Sequence, residues 1–234
     1  MKKDHVKIDI KNQGDQTASI LIYDTIGAGW LGGISAQDFA TELKALGDIT
    51  TLNVHINSEG GSVFDGVAIY NTLISHPAKV NVAIDGLAAS IASIIAMAGD
   101  TVNMAANAMF MIHDPWIVAA GSAAELRDQA DLLDKVRGQL VDTYVARSSA
   151  ARSDVDALMA AETWMTAEEA LAHGFIDLIT AELKVAAKVH ADRFKHPPEA
   201  LLTPLDGGNI AGDNNPIASD KIVKMRAALK SRQL

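Results

Sequence analysis

Apolar and polar residues alternate with period two in several short stretches of this chain, and recur every three or four residues between them. Val6 to Ile10 alternates, Ile20 to Tyr23 does so more loosely, and Asn12-Gln13-Gly14-Asp15 lies between them as turn chemistry. This pattern predicts a β-hairpin whose second arm enters a sheet. Ser35 and Asp38 form a weak cap for a helix running to about Leu46, which Gly47 stops. Leu52, Val54 and Ile56 share one face of a strand. Val63, Val67, Tyr70 and Ile74 form the stripe of a helix that His76-Pro77 ends. Val80 to Ile84 is the next strand, and Thr101 to Met104 and Met109 to Ile112 are two shorter ones. Strand and helix alternating in this order predict an α/β fold, with a mainly parallel sheet covered by helices.

The second half is more helical. Ser122-Ala123-Ala124-Glu125 is a capping box for a helix to about Arg147. Leu126, Leu133, Leu140 and Tyr144 line one stripe of it, while Leu132, Val141 and Val145 lie off that stripe. Two apolar faces on one long helix point either to packing against another chain or to a core position. Ser153 to Ala161 predicts a short helix with Ser153 and Asp156 at its start. Thr166 and Glu169 cap another that Gly174 ends, and Phe175 to Ile179 returns as a strand. From about Lys195, prolines, glycines and asparagines replace the apolar pattern. The expected organisation is therefore a domain over residues 1–194, a flexible linker over 195–216 and a basic tail over 217–234.

Composition narrows the class. Hydrophobic residues make up 49% and charged residues 21% of the 234, which fits a globular core, and aromatics at 5% leave the packing to Ala, Ile, Leu and Val. No apolar run is long enough to span a bilayer, and the N-terminus lacks a secretory apolar core, so no membrane partner is expected. With no cysteine, disulfides and thiolate catalysis are excluded and a reducing, cytoplasmic setting is expected. A net charge of −9 argues against a nucleic-acid partner. Thr25 to Gly33 is rich in glycine, but no lysine follows in Walker spacing, so it reads as a turn and not as a phosphate cradle.

Candidate chemistry gathers between Gly86 and His113. Gly86-Leu87-Ala88-Ala89-Ser90 reads as a strand-to-helix turn with Ser90 at the mouth of an apolar, buried helix. There, unpaired backbone N–H groups and the positive end of the helix dipole favour a developing oxyanion. Met109 to Ile112 delivers His113 at a strand end. Gly60-Gly61, Ser90 and His113 each follow a predicted strand, where parallel sheets bind ligands.

Four segments resemble the Clp-type serine proteases, in the family's order, over roughly residues 15–182. Ser90 within Gly86-x-Ala88-Ala89-Ser90-x-Ala92-Ser93 looks like their nucleophile motif, and Met111-Ile112-His113-Asp114-Pro115 like their histidine motif. Asn57-Ser58-Glu59-Gly60-Gly61 resembles their oxyanion turn, and Thr166 to Ala170 followed by Gly174 to Asp177 their closing helix and strand. Gly61 to Gly66 and Glu162 to Thr166 are similar to the wording of the phage branch, the head maturation proteases. Glu59 departs from the family, which commonly carries proline there.

The resemblance implies a ClpP/crotonase-like spiral of ββα units whose long helix is a handle joining two rings. It implies a self-compartmentalising serine endopeptidase, acting on protein or peptide substrates and processing phage scaffold or capsid protein. Ser90 would be the nucleophile, His113 the base, and the N–H groups of Gly61 and Ile91 the oxyanion hole. Alignment through Thr166 places the family's aspartate at Glu162, one methylene longer. Asp114 is the rival, but neighbours at a strand end point to opposite sides. No cofactor is implied. None of the remaining histidines has paired metal-ligand spacing, so no metal is expected. The competing readings are a crotonase-type acyl-CoA enzyme and a catalytically silent ring used as a scaffold.

Overall fold

The computed structural model describes residues 7–9, 16–28, 33–185, 189–190 and 193–201. The hairpin turn, part of the glycine-rich loop, most of the expected linker and all of the expected basic tail lie outside the described residues. One compact unit spans Met1–Thr203; the second, Pro204–Leu234, also lies outside them.

The fold is α/β. Strand β1 (Lys7–Asp9) is antiparallel to β2 (Thr17–Ile22), which runs parallel to β3 (Thr51–Ser58). The long strand β4 (Lys79–Ala89) follows, parallel to β3. It serves two neighbours in succession: Asn81 to Ile84 pairs with β5 (Thr101–Ala105), and Leu87 to Ala89 with β6 (Met109–Ile112). Strand β8 (Leu178–Thr180) closes the β5 edge, and β7 (Thr163–Met165) runs antiparallel to β6. The crossovers are α1 (Ala36–Ala45), α2 (Val63–Ile74) and the six-residue α3 (Ile91–Ala96). Helices α4 (Ala123–Arg147), α5 (Arg152–Ala160) and α6 (Ala167–Ala172) follow.

The period-two pattern corresponds to burial. In β2 and β3 every second residue is buried, so Ile20, Ile22, Leu52, Val54 and Ile56 join Phe39, Leu43, Ile69 and Leu73 of the helices in one core. Each such side chain contributes about 1.5–3 kcal/mol on leaving water. From Asp85 to Ala89, β4 is buried on both faces. There Leu87, Ala89 and Met111 form a second, smaller cluster that Phe194 covers.

Three differences from expectation have local causes. Strand β4 does not stop at Ile84 but runs on through Gly86, because pairing with β6 takes over where β5 ends. The turn is therefore at Ser90 alone. Helix α5 starts earlier than Ser153, with Ala151 as its N-cap and no side-chain bond because alanine carries no acceptor; the Asp156 carboxylate pairs with Arg137. Strand β7 is too short to show a period in sequence. Both strong capping boxes, at Ser122 and Thr166, form as predicted. Helix α4 is buried only through Leu140, Val141 and Tyr144. Its first half is largely uncovered, with Leu126 and Leu132 exposed.

Candidate active site

The strand-to-helix turn compresses into a single residue. Ser90 has φ 55° and ψ −130°, a conformation that an L-residue enters only under constraint. The constraint comes from both sides. The Ser90 N–H donates to Met111 C=O at 3.0 Å, and its C=O accepts from Ser93 Oγ at 2.5 Å. Ser93 has spent its only proton, so the buried Tyr144 hydroxyl donates to Ser93 Oγ at 2.7 Å. Helix α4 thus reaches the elbow through two hydroxyls. The elbow throws Ser90 Oγ toward the end of β6, where it lies 2.8 Å from His113 Nε2.

Glu162 reaches the same place by strand register. In the β6–β7 pair Phe110 faces Met165, Met111 faces Trp164 and Ile112 faces Thr163. One further step sets His113 opposite Glu162. The carbonyl of Met159 accepts N–H groups from both Asp114 and Glu162, tying the two chain ends together. Glu162 itself turns with φ 52°. Its Oε2 is 3.7 Å from His113 Nδ1, and both side chains are nearly buried. Burial pushes the His113 imidazole below the ordinary histidine value, outweighing the opposing pull of the Glu162 carboxylate. Asp114 turns away: Arg137 Nε donates to it at 2.6 Å and Arg137 Nη1 to Asp156 at 2.6 Å.

The glycine turn packs directly on the elbow. A Cβ at Gly60 (φ 91°) would lie 2.7 Å from both Ala89 O and Ser90 Cβ. At Gly61 (φ 150°) it would lie 2.1 Å from Ile26 O. Only glycine permits both approaches. Ile26 uses the Gly60 carbonyl and the Ser62 amide for its two hydrogen bonds, so the N–H of Gly61 takes no part in that bridge. Ile91 is the first residue of α3, where backbone N–H groups have no partner within the helix.

Ser90, His113, Glu162, Gly61 and Ile91 are therefore brought together. Sequence reasoning missed what surrounds them. Glu59, beside the glycine turn, is buried, and it accepts from His190 N (2.6 Å), His190 Nδ1 (2.7 Å) and Arg193 Nη1 (2.8 Å). Burial alone raises its carboxyl, but the His190 hydrogen bonds and the Arg193 charge outweigh that and hold it below the usual range. The Glu162 carboxylate accepts from Lys195 N at 2.9 Å and His196 N at 2.7 Å. Phe194 stacks edge-on to Trp164 and lies 6.0 Å from the His113 ring. The one signal in sequence was Phe194, a large apolar residue between Arg193 and Lys195 in an otherwise polar stretch.

The profile of the Clp protease family matches residues 2–182. The chain belongs to the Clp protease family. It is 33% identical over 131 residues to an ATP-dependent Clp protease proteolytic subunit of Pleurastrum terricola, covering 55% of this chain and 67% of the relative. It is 34% identical over 128 residues to a protein of the same name from Bacteroides fragilis, covering 54% of this chain and 62% of the relative. Membership in the Clp protease family makes the chain a serine-type endopeptidase. Among the described residues no helix is long and apolar enough to cross a membrane. His190, Arg193, Lys195 and His196, which hold Glu59 and Glu162, lie beyond the stretch that the Clp protease profile matches.

Proposed function

We propose that this Clp protease cleaves peptide bonds with Ser90 as nucleophile, His113 as general base and Glu162 as the orienting acid. The observation that carries the assignment is the 2.8 Å contact of Ser90 Oγ with His113 Nε2 at a strained elbow. With the Ser90 hydroxyl donating to Nε2, the neutral imidazole keeps its proton on Nδ1, the side that faces Glu162. Ser90 Oγ attacks the scissile carbonyl as its proton passes to Nε2. The Glu162 carboxylate stabilises the imidazolium so formed, and Nε2 then protonates the leaving amine. The N–H groups of Gly61 and Ile91 hold the tetrahedral oxyanion. Water repeats the sequence on the acyl-enzyme.

The uncovered, partly apolar first half of α4 supports assembly into a ring whose chamber admits unfolded chains. The wording of Gly61 to Gly66 and Glu162 to Thr166 supports a place in phage head maturation, with scaffold or capsid protein as substrate. The test is labelling with a fluorophosphonate and location of the adduct by peptide mass spectrometry. The adduct is expected on Ser90, and Ser90→Ala is expected to lose labelling and peptidase activity while keeping its fold. An adduct on Ser93 or Ser58, with Ser90→Ala still active, overturns the assignment. Sedimentation at micromolar concentration is expected to show a species several times the 24.7 kDa chain mass. Incubation with purified scaffold and capsid proteins is expected to give discrete cuts, and uncut proteins would exclude the maturation role.

A further inference from the structure

Residues 189–190 and 193–196 lie against the site as a strap. The strap binds two buried glutamates, one beside the glycine turn and one beside His113. At one end His190 and Arg193 satisfy Glu59 next to the glycine turn. At the other end the backbone N–H groups of Lys195 and His196 take one oxygen each of the Glu162 carboxylate. Between them Phe194 seals Leu87, Ala89 and Met111, the apolar face just behind the elbow and the histidine strand. A buried carboxylate needs donors, and among the described residues the other polar group against Glu162 is His113, at 3.7 Å. A carboxylate on a flexible glutamate side chain is placed by whatever it accepts from. Here that is the strap.

We propose that residues 193–196 are a positioning element for the reaction, acting through Glu162. This rests on Glu162 being the triad acid. The strap's two amides hold the carboxylate at the Nδ1 side of His113, so that it meets the imidazolium when the proton arrives. The extra methylene of glutamate makes this hold necessary, since the longer side chain has one more free torsion than an aspartate. Among the described residues none of the strap's hydrogen bonds goes to Ser90, Gly61 or Ile91, so the reacting side is left to substrate.

Proline substitution removes the N–H and also fixes φ, so each proline variant is read against alanine at the same position. His196 already precedes Pro197, which biases it away from the helical region. The assay is turnover of a fluorogenic peptide amide together with the rate of fluorophosphonate labelling of Ser90, which stays measurable in slow variants. His196→Ala keeps the N–H and is expected to match the parent. His196→Pro is expected to lose about tenfold in kcat at unchanged KM, the scale of one hydrogen bond to a charged group. In a Glu162→Gln background the same proline is expected to add no further loss, because its effect passes through the carboxylate. Lys195→Pro against Lys195→Ala reads the same quantity at the other oxygen and stands in if His196→Pro fails to fold.

Equal kcat in the proline and alanine variants overturns the proposal, as does a change in KM alone. A rise in activity would make the strap a cover and not a support. The two readings separate cleanly. Full activity in Glu162→Gln overturns the triad assignment itself. An inactive Glu162→Gln enzyme with His196→Pro at full kcat overturns only the strap.

Discussion

Ser90 and Glu162 are two corners of one site that share a positive φ, 55° and 52°, and they are held in opposite ways. The Ser90 corner is braced by the sheet. Its amide bonds to β6, its carbonyl to Ser93, and the glycine turn packs on its Cβ at a distance no other residue allows. Its supports are strands and helices of the parallel core. The Glu162 corner ends a short helix and starts a three-residue strand. Its backbone is tied to Met159, but its carboxylate is held by amides more than thirty residues further along the chain. Ser90 is thus held by the parallel core, and the Glu162 carboxylate by backbone amides distant in sequence. Strain at Ser90 should survive loss of the C-terminal segment; placement of the Glu162 carboxylate should not.

The sharpest test of the comparison is at the acid corner. Glu162→Gln is expected to lose about 10⁴-fold in kcat/KM, the scale seen when a triad carboxylate becomes an amide. Asp114→Asn is the control, expected to stay within a few-fold of the parent because Asp114 serves the Arg137 pair. If Asp114→Asn is inactive while Glu162→Gln turns over normally, with both folded, the acid is misassigned.

Acidity probes the histidine between the corners. Burial lowers the His113 pKa against an unperturbed value of about 6.5. The imidazole is therefore neutral above that value, and with His113 as the proposed base the acid limb of kcat/KM is expected to fall below pH 6.5, losing about tenfold per unit once under the lowered pKa. The stability sign follows from the same shift. Between the two pKa values the unfolded chain binds the proton and the folded one does not. The His113 contribution is thus full above about pH 6.5 and is lost as pH falls through the folded value. Activity and thermal melts across pH 4.5–8 check both. An acid limb above pH 6.5 would contradict the buried neutral imidazole.

The smallest expected effect is at the serine corner's outer support. Tyr144→Phe removes the donor to Ser93 Oγ and is expected to cost about 1 kcal/mol of stability by denaturant titration. Turnover should fall only a few-fold, because β6 and the glycine turn still hold Ser90. A loss as large as that of Glu162→Gln would mean that the elbow depends on α4 far more than on the sheet.

How much of this was legible in the chain follows from the range of each interaction. Residue pattern alone determined what is local. Alternation in β2 and β3, the capping boxes at Ser122 and Thr166, and the paired glycines at 60 and 61 depend on neighbours within a few positions, and each formed as read. The motifs around Ser90 and His113 were legible for the same reason, since an elbow and a strand end are short-range shapes. Tertiary structure decided what depends on distant partners. It extended β4 past Ile84, because β6 was there to pair with it. It set Glu162 across from His113 through the register of a strand too short to announce itself. It also brought His190 and Arg193 to Glu59, and Lys195 and His196 to Glu162. A buried carboxylate takes whichever donors the folded chain brings to it, and backbone N–H groups carry no mark in a sequence.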